Sequence, residues 1–552
     1  MRSDVLRAYK AIHTWTGIVS GLLLFIAFYA GAVTMFKDAL TVWATPPAAS
    51  AQPAVPLAQA DALIRRTLAA HPEAQPYFTL SLADGDRARL SWPPAPGRQE
   101  SAWLDARGQL RTVVRAPSDA ARFVDVLHMT AGIPGSYAVG MGAMGVVSLL
   151  YGLALVSGVI VLLPTLAKDL FALRVGKNLK RMWLDVHNAL GVLSLPFHLV
   201  MALSVVAFGL GDYVSGVQDT FVYDGTLKPL LLRQNPYYAS APGTAALPAM
   251  LPPERLLARV RQRAPRFVPT ALVYRHALAP GRTVFVAGHD DRYLARDGGF
   301  ALMDPATGAF LNDQFLPGRG NGWSAATSAF YALHFGSYGG AVVRWCYFFL
   351  GLAGAGLFYT GNLLWIESRR RNQRPDGRPV LQRRAAFVLA ALTVGVPLGC
   401  VCGVSLTIAA GKLLAPHVGN PHAWHAGVYY ATFAACIAWG LARGGARASV
   451  ELPALAAIAT AAIPAASVIG WLAPSTGLWA STAPGVDAVA ALGALGFGWI
   501  ATRARRRVAT GGADSVWSLP ARRDAQAAPA CPGADRAGAR AGDRAGDHAR
   551  NR

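Results

Sequence analysis

Charge is scarce in this chain. Only 15 % of its 552 residues are Asp, Glu, Lys or Arg, while 53 % are hydrophobic. Soluble domains carry about 25 % charged residues, so the composition excludes an ordinary soluble globule and fits a membrane chain. Acidic residues are the scarcest, 30 against 52 Lys and Arg, and the formal net charge is +22. That excess does not cover a soluble surface. It falls in short clusters beside apolar runs, as membrane topology requires, so no nucleic-acid partner is expected. Cysteine is rare as well, with five in the chain. No CxxC occurs, which excludes a zinc ribbon and a thioredoxin-like motif. No CxxCH occurs, so any haem would be held non-covalently. P-loop, HExxH and nucleophile-elbow patterns are also missing.

Apolar runs, by contrast, are plentiful. Those long enough to cross about 30 Å of hydrocarbon fall near 11–36, 138–164, 186–210, 341–366, 385–411, 423–442, 450–472 and 484–502. Basic residues mark every second connection: Arg2, Arg7 and Lys10 before the first run, Lys168 to Arg181 between the second and third, Arg369 to Arg384 between the fourth and fifth. Arg443 and Arg447 follow the sixth, and Arg503 to Arg507 follow the eighth. The positive-inside rule then predicts eight helices with both termini cytoplasmic. A rival reading makes 1–32 a signal peptide cleaved after Ala30-Gly31-Ala32, but the run is too long for a signal h-region.

Two long segments then face outward. Residues 45–120 predict a helix at 57–70 and strands near 77–82, 88–92, 101–105 and 110–115. Residues 225–320 repeat that order, with a helix at 253–264 and strands near 269–275, 282–287, 299–303 and 309–314. Each ends in a hairpin with small turn residues. The expected fold is an all-α polytopic bundle of about eight transmembrane helices carrying two small α+β periplasmic domains. Its parts are helix 1 (1–44), the first domain (45–120), helix 2 (121–170), helix 3 (171–224), the second domain (225–320), helix 4 (321–370), four further helices (371–509) and a disordered cytoplasmic tail (510–552). The four further helices contain almost no buried polar residues in this reading.

Histidines follow the same repeat. IHTWTG at 12–17 and VHNALG at 186–191 both read His-x-x-x-Gly; VLHMTAG at 126–132 precedes helix 2 and ALHFGSYGG at 332–340 precedes helix 4. The helix–domain–helix unit therefore occurs twice, which points to a pseudo-twofold bundle with its function at the repeat interface. Intramembrane ionisable residues are costly and mark function. His13 and His187 match in depth near the cytoplasmic edge, and Gly17 and Gly191, one turn on, leave room for a flat macrocycle. Two facing histidines beside small residues suit a bis-imidazole haem. His198 lies eleven residues beyond His187, on nearly the same face and about 16 Å higher, so one helix offers imidazoles at two depths. His128, His198 and His334 all remain candidate ligands of an outer haem. The repeat favours His128 with His334, and the helix face favours His198 with one of them. Arg344 is a candidate propionate partner, or else a snorkelling interfacial arginine.

Other signals are weaker. GMGAMG at 140–145 fits GxGxxG but opens a transmembrane helix, and reads as small-residue packing. Cys400 and Cys402 read as packing residues. His417, His422 and His425 read as an ordinary outer loop, and His71, His276 and His289 as surface residues.

Taken together, AIHTWTGIVSGLLLFIAFYAGAV, VLHMTAG, WLDVHNALGVLSLPFHLVMALS, and LHFGSYGG followed by an apolar run and ESRRR resemble the PepSY-associated transmembrane-helix proteins, often described as iron-regulated membrane proteins. The resemblance covers about 5–370. It implies PepSY-like outer domains, a bacterial inner membrane, and a role similar to the haem-containing siderophore reductases of that family. Two haem b groups would then carry electrons from a membrane quinol or a cytoplasmic reductase to ferric siderophore outside. Reduction releases the metal, because ferric iron is the harder ion and prefers oxygen ligands. Some relatives carry a C-terminal flavin-reductase module, where this chain has four more helices. The alternatives are a non-redox binding or regulatory protein and an iron–siderophore permease. Trp323, Tyr331 and Tyr338 are candidate substrate contacts, or else aromatic anchors at the interface.

Overall fold

The computed structural model describes residues 3–47, 53–83, 86–166, 178–234, 249–371, 382–418, 421–511 and 515–518. Most of the expected tail, and the basic residues Lys168, Arg174, Lys177, Arg374 and Arg378, lie outside them. The chain opens with α1 (Ser3–Thr34) and α2 (Lys37–Ala44). It enters the outer region through β1 (Val55–Pro56), α3 (Ala60–Ala70), β2 (Tyr77–Ala83), β3 (Arg87–Trp92), β4 (Gln99–Leu104) and β5 (Leu110–Arg115), and returns through α4 (Ala120–Thr130) and α5 (Tyr137–Leu162). The second pass runs through α6 (Leu179–Leu193), α7 (Leu195–Phe221), α8 (Leu227–Gln234), α9 (Pro253–Arg263), β6 (Val268–Arg275), β7 (Thr283–His289), β8 (Phe300–Met303) and β9 (Phe310–Asn312). It comes back through α10 (Gly322–Phe335) and α11 (Gly340–Ser368), and then α12 (Arg384–Leu413), α13 (Pro421–Leu472) and α14 (Pro484–Thr510) follow.

Among the described residues, seven helices are long and apolar enough to cross a membrane. Hydropathy separates eight runs because α13 holds two of them. That helix has 52 residues, about 78 Å at 1.5 Å per residue, and it leaves helical geometry at Gly444 (φ 75, ψ 157). Only glycine adopts that conformation without strain. The two arms pack on α12 in opposite senses. Gly395, Gly399 and Gly403 of α12 touch Ile437, Phe433 with Cys436, and Tyr429, with numbering that runs in reverse. Ser405 and Lys412 hydrogen-bond Thr460 and Ser467, with numbering that runs the same way. The third crossing is broken for another reason. Pro196 lacks an N–H and clashes with the preceding turn, so the helix stops at Ser194 and restarts with proline in its first turn.

The two segments expected outside the membrane have the expected elements within a few residues, but they join in one sheet rather than forming two. They share one nine-stranded antiparallel sheet in the order β5-β4-β3-β2-β6-β7-β8-β9, with β1 beside β3. The seam is β2 against β6, where Thr79 pairs with Val273 and Leu80 with Leu272. Phe78 and Tyr274 stack across it at 4.5 Å. Leu63 and Ile64 of α3 and Leu256, Leu257 and Val260 of α9 bury against this one sheet face. Each half alone has a bare sheet edge, and joining the halves removes both edges.

The last three long helices also differ from expectation, because polar groups are buried there. Lys412 is fully buried. It donates to Ser467 Oγ at 3.0 Å and lies 4.6 Å from the ring centre of Trp43 and 5.2 Å from that of Trp479. Ser467 and Trp43 Nε1 both donate to Asp487 Oδ1, each at 2.9 Å. His425 is not an exposed loop residue either. It is fully buried, 2.9 Å from Asp119. A lone polar residue near a helix end barely alters a hydropathy average, and its partners lie far away in sequence.

Small residues set the packing in the first half. Gly145 of α5 meets Gly209 of α7 so closely that a Cβ on Gly209 would stand 2.6 Å from the Gly145 Cα. GMGAMG is therefore a helix-crossing surface, as small-residue patterns in membranes are.

Candidate functional site

Four of the five singled-out histidines meet in pairs. The rings of His13 and His187 lie 6.1 Å apart, centre to centre, and those of His128 and His334 lie 6.3 Å apart. An imidazole nitrogen sits roughly 1.1 Å from its ring centre and a metal–imidazole bond is roughly 2.0–2.1 Å. Two imidazoles on opposite sides of one metal ion therefore place their centres roughly 6.3 Å apart, the separation found in both pairs.

Carbonyl and hydroxyl groups of neighbouring helices position each ring from behind. His13 Nδ1 is 2.8 Å from the carbonyl of Ala154 in α5, and His187 Nδ1 is 3.1 Å from that of Leu357 in α11. His128 Nδ1 is 2.7 Å from the carbonyl of Ala27 in α1. A carbonyl only accepts, so these three rings carry their proton on Nδ1 and keep a lone pair on Nε2. His334 Nδ1 lies 2.6 Å from Ser204 Oγ, and that hydroxyl donates to the Val200 carbonyl at 2.6 Å. The serine is thus left to accept from Nδ1–H, and His334 has the same tautomer. Metal-binding histidines are oriented in just this way, by a carbonyl or hydroxyl behind the ring.

His128 and His334 occupy equivalent places. Each ends a short helix, α4 or α10, closed by a left-handed residue, Ala131 (φ 49) or Gly336 (φ 59). The inner pair engages α1 at position 13 and the outer pair engages it at Ala27. These positions are fourteen residues apart, about 21 Å of helix at 1.5 Å per residue.

Glycines make room, though not chiefly those the sequence pointed to. A Cβ on Gly158 would stand 2.8 Å from His13 Cε1, one on Gly361 would stand 3.3 Å from His187 Cε1, and one on Gly31 would stand 2.7 Å from His128 Nδ1. Gly17 faces open space and Gly191 makes only an ordinary contact with Leu357. The overlooked signal was a small dipeptide repeated in register. Ser157-Gly158 and Thr360-Gly361 each follow the carbonyl that anchors a histidine, and their hydroxyls bond those same carbonyls.

His198 stands apart from both pairs. It is fully buried, with Nδ1 2.5 Å from the Tyr151 hydroxyl. Phe28, Phe197 and Phe358 surround its ring at 5.5, 5.9 and 6.3 Å. The residue eleven positions beyond His13, as His198 is beyond His187, is Leu24, also buried, so α1 offers no second imidazole at that level.

A cavity of about 1510 Å³ opens beside the outer pair. It runs from Phe28 and Tyr151 in the bundle, past His128 and His334, to Gly288–His289 and Arg296–Gly298 at the edge of the sheet region. It exceeds the roughly 300–1,000 Å³ of most ligand sites. Arg344, Tyr331 and Tyr338 line it, whereas Trp323 does not and is 80 % exposed. Arg296 lies over the Tyr331 ring at 3.9 Å and ties the sheet region to α10.

Residues 11–368 match the PepSY-associated TM region family, more than half of the chain. The chain belongs to that family. With seven membrane-length apolar helices, it is a multi-pass membrane protein. The matched region holds both histidine pairs, the cavity and the whole sheet, and it ends at the close of α11. An uncharacterized protein of Pseudomonas aeruginosa, PA4219, is 28 % identical over 322 residues, which cover 55 % of this chain and 77 % of that protein.

Proposed function

We propose that this family member is a haem b electron-transfer protein of the bacterial inner membrane that reduces ferric siderophore on the periplasmic side for iron release. The observation that carries the reading is the pairing of His13 with His187 and of His128 with His334, each at the spacing of two imidazoles on one metal. The donor set fits two haems. All four rings turn an Nε2 lone pair away from their anchors, glycines flank three of them, and no covalent-attachment motif is present. Bound there, haem would supply one-electron transfer.

The chain's own residues do the rest. The Ala154 and Leu357 carbonyls hold the inner pair, and Ala27 and Ser204 hold the outer one, so these four rings would be oriented in advance to hold haem. Phe28 and Phe358, 5.1 Å apart, fill the bundle between the two levels. The cavity gives a bulky polar complex a place beside the outer pair without entering hydrocarbon. Arg344 on its wall suits a propionate or an anionic siderophore group. One electron converts the ferric substrate to the ferrous ion, which oxygen ligands hold less well. Electrons come from a quinol or a cytoplasmic reductase at the inner side.

The proposed topology has eight crossings, with the α13 arms counted separately, both termini in the cytoplasm, and the sheet outside. The basic residues at the inner ends support it. A reduced-minus-oxidised spectrum of purified protein tests the reading. Two b-type components are expected, and a colourless, folded preparation from haem-replete cells overturns it.

A further inference from the structure

A second cluster of metal-ligating side chains lies in the outer sheet, on the other half from the strands that reach the cavity. Helix α3 crosses the sheet face and ends at His71. The imidazole lands on Trp92 of β3, ring centres 5.0 Å apart. Trp92 pairs directly with Glu100 of β4, so both side chains point to the same, inward face. Glu73, two residues past the helix end, hydrogen-bonds His71 Nδ1 through Oε1 at 3.0 Å. One ligand atom each from His71, Glu73 and Glu100 therefore lies within 4.8 Å of the others.

Glu100 is the telling member. It is only 7 % exposed, it sits on the core-facing side of the sheet, and among the described residues no hydrogen bond or ion pair engages its carboxylate. Its side chain packs against the core while its carboxylate keeps contact with solvent beside His71 and Glu73, which leaves the oxygens free to coordinate. A fixed imidazole and an exposed, movable glutamate are the groups nearest to hand. Ligand atoms on one first-row ion lie roughly 3–4 Å apart, and Glu73 can swing in to close the remaining distance.

We propose that His71, Glu73 and Glu100 form a divalent transition-metal site on the outer sheet. One imidazole and two carboxylates make a borderline-to-hard donor set that suits zinc, manganese or ferrous iron and disfavours cuprous ion, which prefers sulfur. Three protein ligands leave coordination positions open, as in exchangeable sites. The site uses none of the paired histidines, and a preparation without haem would keep it. Where ferric iron is reduced in the cavity, ferrous product emerges on the side of the membrane that carries this cluster.

Zinc is the probe, because it is redox-silent and cannot be confused with haem iron in metal counting. Full-length protein in detergent is stripped with chelator, dialysed against Zn²⁺ and counted, beside Glu100→Gln and His71→Ala. Zinc should also raise the unfolding midpoint of the wild type, since a ligand that binds only the folded state stabilises it. Loss of one zinc equivalent and of the midpoint rise in both variants is the expected result. Glu100→Gln keeps the shape of the side chain, so a folding defect in His71→Ala does not decide the matter. Wild-type zinc content and midpoint rise in Glu100→Gln overturn the proposal, whatever His71→Ala does.

Discussion

The rings of His13 and His187 meet edge-on, with centres 6.1 Å apart. Each is held from behind by a carbonyl three residues before a hydroxyl–glycine dipeptide, Ser157-Gly158 or Thr360-Gly361. The two histidines thus have matching supports. On the proposed reading each ring is half of one site, so replacing either histidine with alanine should remove the same inner haem component. The glycines sharpen the test. Gly158→Val should also remove that component, since even its Cβ would meet the His13 ring at 2.8 Å, whereas Gly17→Ala meets nothing within 4 Å and should leave both components intact. Spectra of the four purified variants check this. Loss of different components from the two histidine variants breaks the pairing.

His198 is expected to ligate neither haem. Among the described residues its only close polar partner is Tyr151, and its ring lies in an aromatic pocket. His198→Phe should keep both spectral components, while Ser204→Ala, which removes the support of His334, should weaken outer haem retention about 10–100-fold. A missing outer component in His198→Phe returns that residue to the ligand set.

Much of this was legible in sequence. Period-2 alternation located eight strands because each strand buries a single face, and the His-x-x-x-Gly repeats located the inner pair. Long-range relations were not legible. Nothing in 77–83 says that its partner is 268–275 rather than a second copy of itself, so the joined sheet appears only in three dimensions. The choice of His334 over His198 for His128 depended on how α4 and α10 turn back toward α1 and α7, which single-helix geometry does not fix. The polar network around Lys412 was hidden because Trp43, Ser467 and Asp487 come from three distant segments.

Topology can be read with reporter fusions. Fusions after Ser50 and Asn235 should score periplasmic and one after Arg374 cytoplasmic. A fusion after Gly444 should also score cytoplasmic, because the proposed eight-crossing fold turns there. A periplasmic score at Gly444 would leave α13 as a single crossing and invert everything after it.

The outer sheet should lose stability in acid through Asp304. Burial alone would raise its carboxyl, but the Ala306 N–H, the Thr307 hydroxyl and Arg282 outweigh that and hold it below the usual carboxylate value. A carboxyl depressed on folding contributes stability above its unfolded value, about 3.9, and that contribution is lost as pH falls through the folded value. Asp304→Asn should therefore flatten the loss of stability below about pH 4. Arg282→Met, which leaves the carboxylate only its Ala306 and Thr307 donors among the described residues, should cost about 1–3 kcal/mol at neutral pH. Thermal or denaturant unfolding against pH measures both, and an unchanged acid slope in Asp304→Asn would remove the carboxylate from the account.

On the proposed reading, substrate chemistry takes place at the outer pair. Ferric siderophore is bulky and polar, so it cannot cross hydrocarbon to reach His13 and His187, and the electron must come out to it. The cavity of about 1510 Å³ would supply the meeting place, with His128 and His334 on one side and the sheet residues Gly288, His289 and Arg296 on the other. Chemically reduced protein should be reoxidised by added ferric siderophore, with a ferrous chelator trapping product in step with haem oxidation. His334→Ala should slow that step while the inner component stays bound. Arg344→Gln should weaken the response to anionic siderophores more than to neutral ones, because it removes a charge from the cavity wall without touching a ligand. If reduced wild-type protein ignores every ferric siderophore tried but is reoxidised by a quinone, the cavity serves a different acceptor and the histidine pairs keep their role without the iron.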